Sequence, residues 1–349
     1  MVQFFKNLNI DWLGKRRIFI AISVTLMLSG MFSALYRNAF HPRGTEAFNL
    51  GVDFKGGTVL TVKFKRRPDP KAIRAAIDQA SGREATIQPI LDKADEVLIK
   101  LPRQESDGAD AAAEGVGVDA GRTLVAQALT SFGDGNAEIV GTDAVGAVAG
   151  RQLRNQAVAV TLLALVSILL FIALRFEWTY GAAAVIAVFH TVLITLGMFS
   201  IFQWEVNLTV IAGLLTLVGF SVNDSIVVFD RIRENLRLHR RSSLYDITNL
   251  SINQTLSRTV ITAGLVFLSV LALVLFGGET LRPFSLALLI GIVVGTYDSI
   301  AIASPIMVWW QQRLGAAGGG AKPAEKQGEA SKLTTAQTQS SGNRQRRTG

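Results

Sequence analysis

Long apolar runs alternate with polar stretches along the chain, and the runs fall at roughly residues 18–36, 157–174, 180–202, 208–229, 259–276 and 284–310. As helices rising 1.5 Å per residue, runs of this length cross about 30 Å of hydrocarbon, so the pattern predicts six transmembrane helices. Polar residues gather in 37–156, 230–258 and 311–349. The first of these stretches is the one substantial water-exposed domain, and its period changes in a readable order. Val59–Lys65 alternates as a strand, and Asp69–Ala80 follows with Ile73, Ala76, Ile77 and Ala80 at helical spacing. Two strands come next, near Ala85–Leu91 and Glu96–Leu101, hinged by Asp92-Lys93-Ala94-Asp95. Ser106–Val118 is rich in Gly and Ala and reads as a loop insertion; a helix over Gly121–Phe132 and a strand near Ala137–Thr142 complete the domain. The order βαββαβ is that of a ferredoxin-like α+β unit.

The chain divides accordingly into an N-terminus with the first helix (1–36), the ferredoxin-like domain (37–156), transmembrane helices two to six (157–312) and a tail (313–349) whose composition predicts disorder. Residues 242–256 set Leu244, Ile247, Ile252 and Leu256 among polar groups, the pattern of a short interfacial helix. Composition agrees with a membrane protein, at 49% hydrophobic and 18% charged residues. Lys15-Arg16-Arg17 before the first run resembles the start of a signal peptide, but the apolar run is too long and lacks a small-x-small cleavage site, so an uncleaved anchor is expected.

Basic residues precede span one, lie between spans two and three (Arg175) and follow span four (Arg231, Arg233, Arg237, Arg240, Arg241), whereas 203–207 carries none. That asymmetry predicts cytoplasmic termini and an outward-facing domain, which in a bacterium means the inner membrane and a periplasmic domain. The formal charge of +8 is read as this topology signal, with a weak pull toward lipid head groups and no need for nucleic acid. Without cysteine, disulfides and thiolate metal sites are impossible, and three histidines make a zinc site unexpected. No hydrolase or nucleotide-binding motif occurs, so neither an enzyme nor a bound cofactor is expected.

Three segments carry a family resemblance: Gly51-Val52-Asp53-Phe54-Lys55-Gly56-Gly57-Thr58 after the first span, Gly219–Asn235 in the fourth, and Asn253-Gln254-Thr255-Leu256-Ser257-Arg258-Thr259 entering the fifth. From about residue 10 to 312 the chain resembles SecF, the smaller membrane subunit of the SecDF complex of bacterial protein export. The resemblance implies half of a resistance-nodulation-division-type bundle and SecD as the other half. It also implies the SecYEG channel, YajC and YidC and the translocating polypeptide as partners, and proton-driven assistance of export. A stand-alone proton-driven exporter of small molecules or lipids would use the same architecture, and a purely structural assembly factor is a further rival.

A carboxylate inside a bilayer costs roughly 2.5 to 3.5 kcal/mol on insertion scales, so Asp224, beside Asn223 in an apolar helix, calls for a reason. Arg258, in the next span, is expected at similar depth. A movable cation beside a buried carboxylate changes its proton affinity, which is the chemistry of a proton carrier, and the resemblance implies that role for both residues. Alternatively Asp224 and Asn223 are static polar glue and Arg258 an interfacial anchor. Span three carries His190-Thr191 where the family commonly has His-Asp, and span six carries Asp298, so Asp298 is expected to supply the carboxylate that span three lacks. Gly291 and Gly295 would let span six approach a neighbour closely. Asp53, Gly56 and Gly57 form either a structural turn or a hinge between helices and domain.

Overall fold

The computed structural model describes residues 9–40, 46–82, 85–90, 95–102, 114–133, 135–145, 147–175 and 177–317. Helix α1 (Arg16–Phe40) leads to a four-residue helix α2 (Val52–Lys55) and strand β1 (Gly57–Phe64). Helix α3 (Pro70–Ser81), strands β2 (Thr86–Pro89) and β3 (Glu96–Pro102), helix α4 (Glu114–Leu129) and strand β4 (Ala137–Val145) follow. The remainder is helical: α5 (Ala147–Arg175), α6 (Trp178–Phe202), α7 (Leu208–Leu238), α8 (Leu244–Phe276), α9 (Gly278–Asp298), a π-helical segment Ser299–Ala303, and α10 (Ser304–Ala317). Among the described residues six helical rods are long and apolar enough to span a membrane: α1, α5, α6, α7, α8 and the continuous stretch Leu281–Leu314.

The sheet is antiparallel in the order β2-β3-β1-β4, the ferredoxin-like arrangement. Alternation along β1 buries Leu60, Val62 and Phe64 against Ile73 and Ile77 of α3 and Val125 and Leu129 of α4. Asp69 caps α3 through the Lys71 amide, 2.9 Å away, with Pro70 at the first helical position.

The domain differs from expectation at its insertion. Helix α4 begins at Glu114, so Glu114–Val118 belongs to the helix that was expected only from Gly121. Residues 106–113, the hinge residues Asp92, Lys93 and Ala94, and the tail beyond 317 lie outside the described residues. The interfacial helix expected over 242–256 is also not a separate element. Ser243 caps a single 33-residue helix, taking the Asp246 amide at 3.1 Å and donating to Asp246 Oδ2 at 2.6 Å, and no Gly or Pro interrupts it before Gly264. Span six widens for a local reason: Pro305 has no N–H and its ring crowds the carbonyl one turn back, and the backbone before it opens into the π segment, with Ser304 Oγ donating to the Ser299 carbonyl at 3.0 Å.

The domain stands on the α6–α7 turn. Gly51 N donates to Val206 O at 2.9 Å and Val206 N to Asn49 O at 2.8 Å, while Lys100 on β3 pairs with Glu205 at 3.6 Å, both side chains only 13% exposed. The Gly56-Gly57 step needs glycine: φ is +79° and +153°, and a Cβ on Gly57 would lie 2.4 Å from the Leu101 carbonyl oxygen.

Candidate proton-relay site in the helix bundle

Asp224 lies fourteen residues before the end of α7, and Arg258 fourteen residues after the start of the antiparallel α8. Both therefore sit about 21 Å along their helices from the same end of the pair, at one level. Their surroundings differ sharply. Asp224 is 2% exposed, and its one side-chain partner among the described residues is Thr296 of α9, whose hydroxyl donates to Oδ2 across a long 3.4 Å. Arg258 and Asn223 are exposed on the outer surface of the bundle, and Arg258 forms no ion pair with Asp224. Asp224 and Arg258 thus share a level along the pair but do not come within ion-pair distance.

Ser221, one turn before Asp224, and Ser225, next to it in sequence, are buried with hydroxyl oxygens that lack hydrogen-bond partners among the described residues. The close approach of α9 explains how this polar face is enclosed. A Cβ on Gly295 would meet Ser221 Cβ and Oγ at 3.1 Å, and one on Gly291 would overlap the Leu217 side chain at 2.2 Å. The two glycines therefore seat span six on α7.

Three consecutive residues of α9 then reach three different helices. Thr296 serves Asp224 on α7; the Tyr297 hydroxyl donates to the Phe19 carbonyl on α1 at 2.6 Å and accepts from Ser23 Oγ at 3.3 Å; Asp298 turns to α6. Asp298 is 0% exposed, with His190 Nδ1 2.8 Å and Thr191 Oγ1 2.5 Å from the same oxygen, Oδ2. The carboxylate expected from span six thus does meet the His-Thr pair of span three.

This cluster accommodates two protonation states without moving a heavy atom. With Asp298 ionised, Thr191 and the Nδ1–H tautomer of His190 both donate to Oδ2. With Oδ2 protonated, that proton goes to Thr191 Oγ1, whose own hydrogen turns to the Ala187 carbonyl 3.0 Å away. His190 Nε2 and Asp298 Oδ1 are buried and form no close hydrogen bond among the described residues. Sequence reasoning did not single out Thr296, Tyr297 or Ser23; an adjacent threonine and tyrosine beside an intramembrane aspartate was the available signal.

The motif entering span five has another task. Asn253 Oδ1 accepts from Trp12 Nε1 at 3.1 Å and from the Ile10 amide at 3.3 Å, and Asn249 Oδ1 accepts from the Leu13 amide at 3.1 Å. Asp11 Oδ1 accepts from Tyr245 and Asn249 at 2.7 Å each, so residues 10–13 are strapped along one face of α8.

Fold and site together define a membrane subunit of the protein-export class. Residues 124–313 match the family of protein export membrane proteins SecD/SecF, C-terminal, and residues 45–66 match the SecD/SecF GG motif. The chain belongs to the SecF family. It is 39% identical to the protein translocase subunit SecF of Koribacter versatilis, an alignment covering 92% of this chain and 96% of that one. It is 42% identical to SecF of Vibrio alginolyticus over 75% of this chain and 80% of the relative. The crystal structure of SecDF from Thermus thermophilus, a translocon-associated membrane protein, superposes with a TM-score of 0.70 at 36% identity, over 88% of this chain and 39% of that longer one.

Proposed function

We propose that the chain is the proton-motive-force-coupled accessory subunit of the Sec translocase in the bacterial inner membrane. In this reading it has cytoplasmic termini and a periplasmic ferredoxin-like domain, and it works with SecD to promote outward movement of polypeptides delivered through SecYEG, with YajC and YidC as further partners. The carrying observation is Asp224, buried within a membrane helix and held by one long hydrogen bond with no ion-pair partner among the described residues. A permanent structural carboxylate at this depth needs full pairing, whereas a proton carrier needs access to two states. Asn223 and Arg258, exposed at the same level, are polar groups for the SecD half to cover. Movement of that surface would bring the guanidinium charge toward Asp224 and drive off its proton.

His190 and Asp298 form a second station of the relay, one face of α9 removed from the first. Motion of α7 reaches the domain through Asp53, which hydrogen-bonds the first amide of α7, and the Gly56-Gly57 step acts as the hinge. One charge crossing about 100 mV releases about 2.3 kcal/mol, and one pH unit adds about 1.4 kcal/mol per proton. Their sum matches the few kcal/mol that separate conformers of a two-state protein. Small-molecule export on the same architecture is not favoured, since the relatives named above are translocase subunits.

Secretion into inverted membrane vesicles, with and without an uncoupler, tests the reading. Asp224→Asn and Arg258→Leu should each insert normally and lose the uncoupler-sensitive part of transport. Full uncoupler-sensitive transport in either variant overturns the role of that residue.

A further inference from the structure

At the end of the bundle away from the sheet, a cavity of about 640 Å³ opens between the start of α6, the end of α7 and α10. Its walls carry Arg233 and Arg237, one turn apart near the end of α7, and Arg240, two residues past that end. Among the described residues none of the three has an ion-pair partner, while neighbouring Arg231 is held by Glu234 at 2.6 Å and Gln254 at 2.6 Å. Opposite them the floor is polar and buried: Thr179 accepts from Gln311 Nε2 at 3.3 Å. Glu177 is the one carboxylate on the wall; Arg233 and Arg237 also border a second hollow with Asp230 and Glu234.

The position matters as much as the charge. Trp178 and Trp309, 58% and 54% exposed, flank this end of the bundle, and Arg313 lies 4.8 Å over the Trp309 ring, the arrangement of an interfacial aromatic belt. Three guanidiniums line one concave site at the level of lipid head groups, where planar donors match phosphate oxygens.

We propose that this cavity is a phosphate-binding site, occupied by the head group of an anionic phospholipid. The guanidiniums of Arg233, Arg237 and Arg240 hold the phosphate, and Glu177 weakens the binding. Phosphatidylglycerol retained by the purified full chain would be quantified by native mass spectrometry, with a parallel titration of inorganic phosphate on the lipid-free protein. Each arginine changed to glutamine should weaken retention about fivefold, the counterpart of about 1 kcal/mol per basic residue at an anionic surface. Glu177→Gln should strengthen it, a change of sign that misfolding cannot imitate. A control triple of equal charge on the sheet domain, Lys65, Arg67 and Arg74 to Gln, should change nothing. Saturable stabilisation by inorganic phosphate, lost in the arginine variants, supports the site with a soluble source; retention of lipid that phosphate does not displace supports the head group. Equal loss in the control triple, or an unchanged Glu177→Gln, overturns the proposal.

Discussion

Asp53 Oδ2 accepts the Leu208 amide hydrogen at 3.0 Å, so a carboxylate at the foot of the sheet domain caps the helix that carries Asp224. The first amides of a helix have no partner within it and carry its positive end, which suits an anionic acceptor. Asn207 takes the Val210 amide at 3.2 Å from within the same segment. The end of α7 is thus shared between its own cap and a residue 155 positions earlier in the chain. In the proposed mechanism a displacement of α7 along its axis would pull on α2 through this contact and, through Gly56-Gly57, on β1.

Asp53→Ala should therefore loosen the start of α7 without touching the relay. Loss of a capping acceptor costs about 1 kcal/mol, so the Leu208 amide should exchange with deuterium roughly fivefold faster in the full protein. Asp53→Asn keeps an oxygen acceptor and should retain most of the protection. Identical exchange in the wild type and Asp53→Ala would show that the contact carries no load.

The strap at residues 10–13 should respond to acid. Hydrogen bonds to Asp11 from Tyr245, from the Gly14 amide and from Asn249 hold its carboxyl below the usual aspartate range. A depressed folded-state value contributes stability that is present above the unfolded value and lost as pH falls through the folded one. The strap should release only below about pH 3.8. Trp12 reports it, because its indole N–H is held by Asn253. The fluorescence difference between wild type and Trp12→Phe should shift with a midpoint below that pH, and Asp11→Asn should abolish the shift; a midpoint near neutrality would contradict the assignment.

Much of this was legible in the residues, for physical reasons that also mark the limits. Leu60, Val62 and Phe64 alternate because one face of β1 is buried, so the strand could be read from period alone. Asp298 could be matched with His190 because few elements can hold a carboxylate in hydrocarbon and span three offered the complementary ring. The separation of Arg258 from Asp224 was not legible: equal depth follows from counting residues, but the rotation of α8 depends on packing. The continuous α8 was missed because Asn249, Asn253 and Gln254 look like surface, and their partners, Leu13, Trp12 and Asn235, lie far off in the sequence.

Helix α4 gives a sharper test of the sheet domain. A deletion of 107–118 removes Glu114–Val118, the first turn and more of that helix, while a deletion of 107–113 spares it. For a domain of this size 1 kcal/mol corresponds to about 4–8 °C. The longer deletion should melt at least that far below the shorter one. Equal melting temperatures would show that the start of α4 contributes nothing to the core around Val125 and Leu129.

The His190–Asp298 pair yields the most demanding prediction, because in the proposed relay each member's protonation state depends on the other's. Groups that share a hydrogen bond at 2.8 Å in a buried site titrate as a unit, so removing one changes the apparent titration of what remains. Asp298→Ser should reduce proton-dependent secretion less than Asp224→Asn does, and should displace its pH profile. It also strips His190 of its partner, leaving a buried polar ring at a cost of about 1–3 kcal/mol. Restoring a carboxylate beside the ring from α6, by adding Thr191→Asp, should recover both the profile and the stability. Thr191→Val removes the hydroxyl that can donate to Oδ2 or to the Ala187 carbonyl, and should slow transport while leaving the His190 contact in place. If Asp298→Ser leaves secretion and its pH profile unchanged while the protein stays folded, the pair is a packing contact and the relay runs through Asp224 alone.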